Sequence, residues 1–262
     1  MFETKKKRRQ RLMKTSLPEK WLSIVVRHTP YYRILPPQDQ AELQGLIQVF
    51  LAEKRFEGLG GLRITDGIRL TIAAHACILL LRRETDFYPS LVSILVYPGT
   101  YVAPVQRREP GGIVSEGMEA LAGQTWDKGS LVLSWTDVLR GAADMRDGWN
   151  VVFHEFAHQL DDEAGVADGA PLLPDPSMYT AWARVCGREY KALIRDLEQD
   201  RPTLLDSYAA TNPAEFFAVV TEFFFEMPVE LKERHAELYG LFKKFYVQDT
   251  ASLVTAAEQS EH

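Results

Sequence analysis

The run His154-Glu155-Phe156-Ala157-His158 puts two imidazoles four residues apart with a carboxylate between them. Four residues is about one helical turn, so on an α-helix both histidines stand on one face and can offer ring nitrogens to one metal ion. Glu155 then lies beside that ion without being needed as a ligand. Its carboxylate suits a general base that takes a proton from a water acidified by zinc and passes it to a leaving amine, the chemistry of a metal-dependent peptidase. The setting favours this over an exposed helix that merely contains two histidines. Val151, Val152, Phe153, Phe156, Ala157 and Leu160 surround the motif, and imidazoles and a carboxylate inside a core are costly unless something binds them.

Asp161 follows three residues after His158, on the same face and at the C-terminal end, where the helix dipole disfavours an acid. A partner that steadies a ligand or a neighbouring loop and a plain solvated turn, Asp161-Asp162-Glu163, both fit that position. A catalytic zinc usually takes three protein ligands and keeps one position open. Among the other histidines, His28 and His235 sit in charged segments, His262 is the last residue, and His75 lies in an apolar run where a core role fits better. Glu215 and Glu222, seven residues apart in an otherwise apolar stretch, share one helix face and each could reach the metal. Glu215 also fits the third position of a capping box behind Asn212 and Pro213, and Glu222 fits a salt-bridged surface residue. Helical periodicity does not separate them.

The elements that must position these residues follow from pattern. Apolar residues recur at helical spacing from Leu43 to Leu51 behind Pro36-Pro37, and Ile68 to Arg83 predicts a second helix. Leu91 to Tyr97 predicts a strand ended by Pro98-Gly99, with further strands at Ile113-Val114 and Leu131 to Trp135. The Leu131 strand could offer its edge to an extended peptide or simply lie in the core. Helices are expected over 148–160, 179–199, 213–225 and 235–246. Strands gathered ahead of helices indicate an α+β fold.

Composition bounds the rest. A chain of 262 residues, 46% apolar and 25% charged, has material for one large domain. Thirty basic against 36 acidic residues, a net charge of −6, argue against a surface that neutralises nucleic-acid phosphates. The basic run Lys5, Lys6, Lys7, Arg8, Arg9 and Arg11 could touch RNA, DNA or anionic lipid, but a solvated terminus is the preferred reading. Trp21 to Val26 is too short for a secretory core, and Ile72 to Leu81 too short to span a bilayer. Two cysteines, Cys77 and Cys186, fit free thiols in a reducing compartment. The expectation is a cytoplasmic protein with a basic, mobile tail over 1–20, one domain over 21–250 and a C-terminal tail over 251–262.

The sequence His154 to Asp161, the segment Asp206-Ser207-Tyr208-Ala209-Ala210, and Asn212-Pro213-Ala214-Glu215-Phe216-Phe217-Ala218 resemble the Mlc titration factor A family of bacterial zinc peptidases. Leu95 to Pro98 and Gly129 to Trp135 share the likeness. The resemblance implies a zincin-like metallopeptidase core, with a small mixed sheet and a mainly helical C-terminal half, similar to the peptidase domain of anthrax lethal factor. It also implies one zinc ion (Zn2+) per chain, Glu215 as third ligand beside His154 and His158, and Glu155 as base. Tyr208, which would not stand out alone, becomes the hydroxyl that donates to the oxyanion. The implied activity is aminopeptidase-like, on peptide substrates, with binding of a Mlc-type transcriptional repressor. The alternative is a regulatory protein that sequesters a transcription factor, its catalysis weak or vestigial. A nucleic-acid or membrane partner is not expected.

Overall fold

The computed structural model describes residues 3–99, 101–108, 114–121, 123–126 and 129–260; between 100 and 128 only strand placement is described. In chain order the helices are α1 (Lys5–Leu12), α2 (Glu19–His28), α3 (Pro30–Ile34), α4 (Pro37–Glu53), α5 (Asp66–Ile78), α6 (Trp135–Ala143), α7 (Val151–Asp162), α8 (Met178–Glu198), α9 (Pro213–Glu226), α10 (Pro228–Arg234), α11 (Ala236–Tyr246) and α12 (Thr250–Ser260). The strands are β1 (Arg55–Gly58), β2 (Ser93–Tyr97), β3 (Tyr101–Arg108), β4 (Val114–Leu121), β5 (Gly123–Trp126) and β6 (Ser130–Ser134). The result is an α+β fold with a small mixed sheet and a mainly helical C-terminal half.

The main sheet has the order β1-β2-β6-β5, the first three strands parallel and β5 antiparallel to β6. Ile94 pairs with Leu131 and Val96 with Leu133, and these four side chains enter the main core. Val132 groups with Leu95 and Tyr97 on the opposite face. Strands β3 and β4 form a separate antiparallel pair. Because β6 is paired on both sides, it offers no free edge and is a core strand; the sheet edge beside α7 is β5. Trp135 does not continue β6. It opens α6, whose cap is Ser134, accepting from the Asp137 amide at 3.4 Å. Of the expected strand at Ile113-Val114, Val114 opens β4 and Ile113 lies outside the described residues.

Helix α7 packs against α9, α5 and α6 and against the β5–β6 edge. Aromatic contacts lock it in place: Phe156 lies 4.8 Å from Tyr88 and Phe153 lies 5.0 Å from Phe225, centroid to centroid. Helix α9 is buried from Phe216 to Glu226, which is why its sequence is apolar apart from Thr221 and the face of Glu215, Glu222 and Glu226. Helix α5 stops at Ile78, five residues before its expected end, and Arg82 takes a left-handed φ of 60° in the turn that follows.

Within the segments expected as tails, Lys5–Leu12 and Thr250–Ser260 are helical. In α1, Arg9 holds Glu53 at 2.7 Å, pairs with Asp86 and lies over the Phe87 ring at 4.6 Å. The helix is seated by charge rather than by an apolar stripe, so hydropathy patterning gave no sign of it. At the other end, Thr250 and Ala251 of α12 are buried; His262 lies outside the described residues. Cys77 and Cys186 are free thiols. Among the described residues no helix is long and apolar enough to cross a membrane.

Candidate metal centre

Helix α7 begins at Asn150, whose Oδ1 accepts from the amides of Val152 and Phe153 at 3.1 and 3.2 Å. Just before it, Gly148 has φ +74°, and a Cβ there would sit 2.8 Å from the Phe223 ring. Only glycine lets the chain pass so close to α9 and enter α7 in this direction. The histidines then stand one turn apart, their rings 4.9 Å apart.

Helix α9 runs antiparallel to α7, since its first turn meets His158 and its last meets Asn150. That antiparallel offset gives the two glutamates different places. Glu215 Oε2 lies 3.0 Å from His154 Nε2 and 3.2 Å from His158 Nε2, and the two nitrogens are 3.2 Å apart. Glu222 lies two turns further on. Its Oε1 accepts from His154 Nδ1 at 2.7 Å and its Oε2 from the Asn150 amide at 2.6 Å. Glu222 therefore holds the outer nitrogen of His154 as donor, leaving Nε2 with a lone pair for the shared focus. Asn212 caps α9, accepting from the Glu215 amide at 3.0 Å, but the Glu215 carboxylate turns to the histidines rather than back to the cap.

His154, His158 and Glu215 are a group that could hold a metal ion. The donor set fits zinc: bonds of about 2.0–2.1 Å in a tetrahedron require ligand atoms about 3.3 Å apart, close to the three separations found. Three lone-pair atoms at that spacing repel unless a proton or a cation lies between them. Burial opposes a charged His154, but Glu222 and Glu215 outweigh it and raise its pKa well above the usual imidazole value. Burial also opposes a charged Glu215, yet the hydrogen bonds of His154 and His158 pull its carboxyl far below the ordinary range. For Glu222 burial pushes upward; because each oxygen faces an N–H donor, the ionised form is the one this geometry accommodates.

Glu155, 6% exposed, has its pKa raised by burial, with His154 and His158 drawing it back down. Tyr208 is carried by a 3-10 turn, Ser207–Ala210, capped by Asp206. Tyr208 is 51% exposed, and its ring centroid lies 5.9 Å from that of His154. Asp161 is fully buried and its Oδ2 accepts from the Gly169 amide at 2.7 Å, so of its two readings the loop-holding one is observed. Gly169 has φ +80° and approaches Pro213 so closely that a Cβ would lie 2.3 Å from its carbonyl oxygen. Asp161 thus ties the loop after α7 to the start of α9. His75 is a core histidine, its Nδ1 2.9 Å from the Thr71 carbonyl.

Two participants escaped sequence reasoning. Asn150 was legible as a cap, being an Asn directly before an apolar helical run. Glu226 Oε1 accepts from Asn150 Nδ2 at 3.0 Å, and only its four-residue spacing from Glu222 hinted at a shared face.

Residues 3–247 match the family described as glucose-regulated metallo-peptidase M90. An uncharacterised protein of Synechocystis sp. is 41% identical over 240 residues, covering 91% of this chain and 87% of the relative. A protein named Mlc titration factor A from Pectobacterium atrosepticum is 34% identical over 223 residues, covering 84% and 83%. One of the same name from Escherichia coli is 30% identical over 223 residues, covering 84% and 83%. With the family pattern running almost end to end, the chain belongs to the glucose-regulated metallo-peptidase M90 family.

Proposed function

We propose that the chain is a zinc-dependent, aminopeptidase-like peptidase in which His154, His158 and Glu215 hold one zinc ion. The observation that carries this is the triangle of ligand atoms, with edges of 3.0 to 3.2 Å. Held by these three residues, a zinc ion would supply Lewis acidity that acidifies the attacking water and polarises the scissile carbonyl. Glu222 fixes the tautomer and orientation of His154. Glu155, buried beside the two imidazoles, takes the proton of the attacking water and delivers it to the leaving amine. Tyr208, half-exposed beside His154, donates a hydrogen bond from its hydroxyl to the oxyanion as it forms. The peptidase unit includes α1, which the family match also covers, and acts in the cytoplasm.

The name of several relatives favours a second role, binding of a Mlc-type transcriptional repressor. Metal analysis of purified protein, with a screen of chromogenic aminoacyl and peptide substrates with and without such a repressor, separates the roles. About one zinc per chain with turnover supports the peptidase. Zinc without turnover on any substrate supports a regulator with vestigial catalysis.

A further inference from the structure

Between α8 and the first turns of α9 lies a cavity of about 340 Å³. It opens to solvent at Asp168, Tyr179 and Ala183, and its volume lies within the range of about 300–1,000 Å³ of small-molecule sites. Its walls are aromatic. Trp182 stacks on Phe242 with centroids 5.3 Å apart, and Tyr190 meets Phe216 edge-on at 5.7 Å. The aromatic polar groups of those walls are engaged elsewhere: Trp182 Nε1 donates to the Gly169 carbonyl at 2.9 Å, Tyr190 to Ala210 at 3.0 Å and Tyr179 to Pro171 at 3.2 Å. The charged residue of the lining, Asp168, is solvent-exposed and accepts from the Ala170 amide at 3.2 Å. Gly187, half-buried on α8, also lines the cavity. A glycine in mid-helix costs about 1 kcal/mol relative to alanine, yet no atom lies within 4 Å of where its Cβ would be. Close packing therefore does not demand a glycine, and the space it leaves belongs to the cavity.

We propose that this cavity is a binding site for an uncharged aromatic small molecule, separate from the metal centre. The aromatic walls suit an apolar ring, and away from the exposed Asp168 the engaged polar groups leave a charged ligand little to offset its desolvation. Pro213 and Phe216 line the cavity, so an occupant rests against the turn of α9 whose Glu215 faces α7.

The test is a fluorescence titration of the full chain with N-phenyl-naphthylamine, an uncharged bicyclic probe that brightens in apolar surroundings. The parent should bind one probe per chain, saturably. Gly187→Leu and Ala183→Leu, each filling the cavity from α8, should weaken binding by about tenfold or more because the volume is gone. Gly240→Leu is the control: it too adds a side chain where no atom lies within 4 Å, but it does not line the cavity, and it should bind like the parent. Thermal melts and near-ultraviolet circular dichroism establish that each variant is folded. The proposal is overturned if the parent shows no saturable binding, if the folded filled variants bind like the parent, or if Gly240→Leu loses binding equally.

Discussion

Replacing Glu222 by Gln keeps shape and volume while removing one acceptor, so the outcome can be worked from two distances. Glu222 Oε1 takes the His154 Nδ1 proton at 2.7 Å and Oε2 takes the Asn150 amide proton at 2.6 Å. A carboxamide has one oxygen. If it faces Asn150, its NH2 faces His154, and the ring must turn Nδ1 into an acceptor and carry its proton on Nε2, where it cannot bind metal. If it faces His154, the NH2 opposes the Asn150 amide and leaves a buried donor unpaired, at about 1–3 kcal/mol of stability. Loss of an orienting partner usually weakens metal binding about 10- to 100-fold. Zinc affinity measured by competition with a chromogenic chelator should fall within that range for Glu222→Gln. Glu215→Ala, which removes a ligand, should fall further. Parent-like affinity in Glu222→Gln, or a greater loss in Glu222→Ala than in Glu215→Ala, would refute the assignment of the two carboxylates.

Glu155→Gln should abolish hydrolysis while retaining about one zinc per chain, since both imidazoles stay in place; metal loss measured by elemental analysis would contradict that role. Tyr208→Phe should keep its metal and lower kcat by an amount worth roughly 2–4 kcal/mol, and unchanged kinetics would remove the hydroxyl from the mechanism. His75, whose pKa burial lowers to about 4, is neutral in the folded chain. A depressed folded value means its contribution is complete above the unfolded value of about 6.5 and is lost as pH falls through the folded one. Between pH 7 and 4.5 the parent should lose about 2 to 3 kcal/mol more than His75→Gln in urea unfolding; parallel losses would place the acid sensitivity elsewhere.

The histidine pair was legible because a four-residue spacing and an apolar setting are local properties of one helix. Choosing between Glu215 and Glu222 was not possible on that basis, since both sit on one face of α9. What separates them is the antiparallel offset of α9 against α7, a tertiary fact that periodicity does not carry. The resemblance proposed the choice that the geometry accommodates. The same limit explains β1, whose residues Arg55–Gly58 are too few and too polar to signal a strand, and α1, which is seated by Arg9 rather than by apolar residues. Trp135 was assigned to the strand before it because a β-rich run hid Ser134, which with Asp137 three residues on marks a helix start.

The central claim is that one zinc ion sits at the focus of His154, His158 and Glu215. The direct measurement is an anomalous difference map at the zinc absorption edge from crystals of the zinc-loaded protein. The account requires one dominant peak per chain, about 2.0–2.1 Å from His154 Nε2 and His158 Nε2 and about 2.0–2.2 Å from a Glu215 carboxylate oxygen. A peak coordinated by Glu222 in place of Glu215, or no peak between the two imidazoles at full zinc loading, would contradict it.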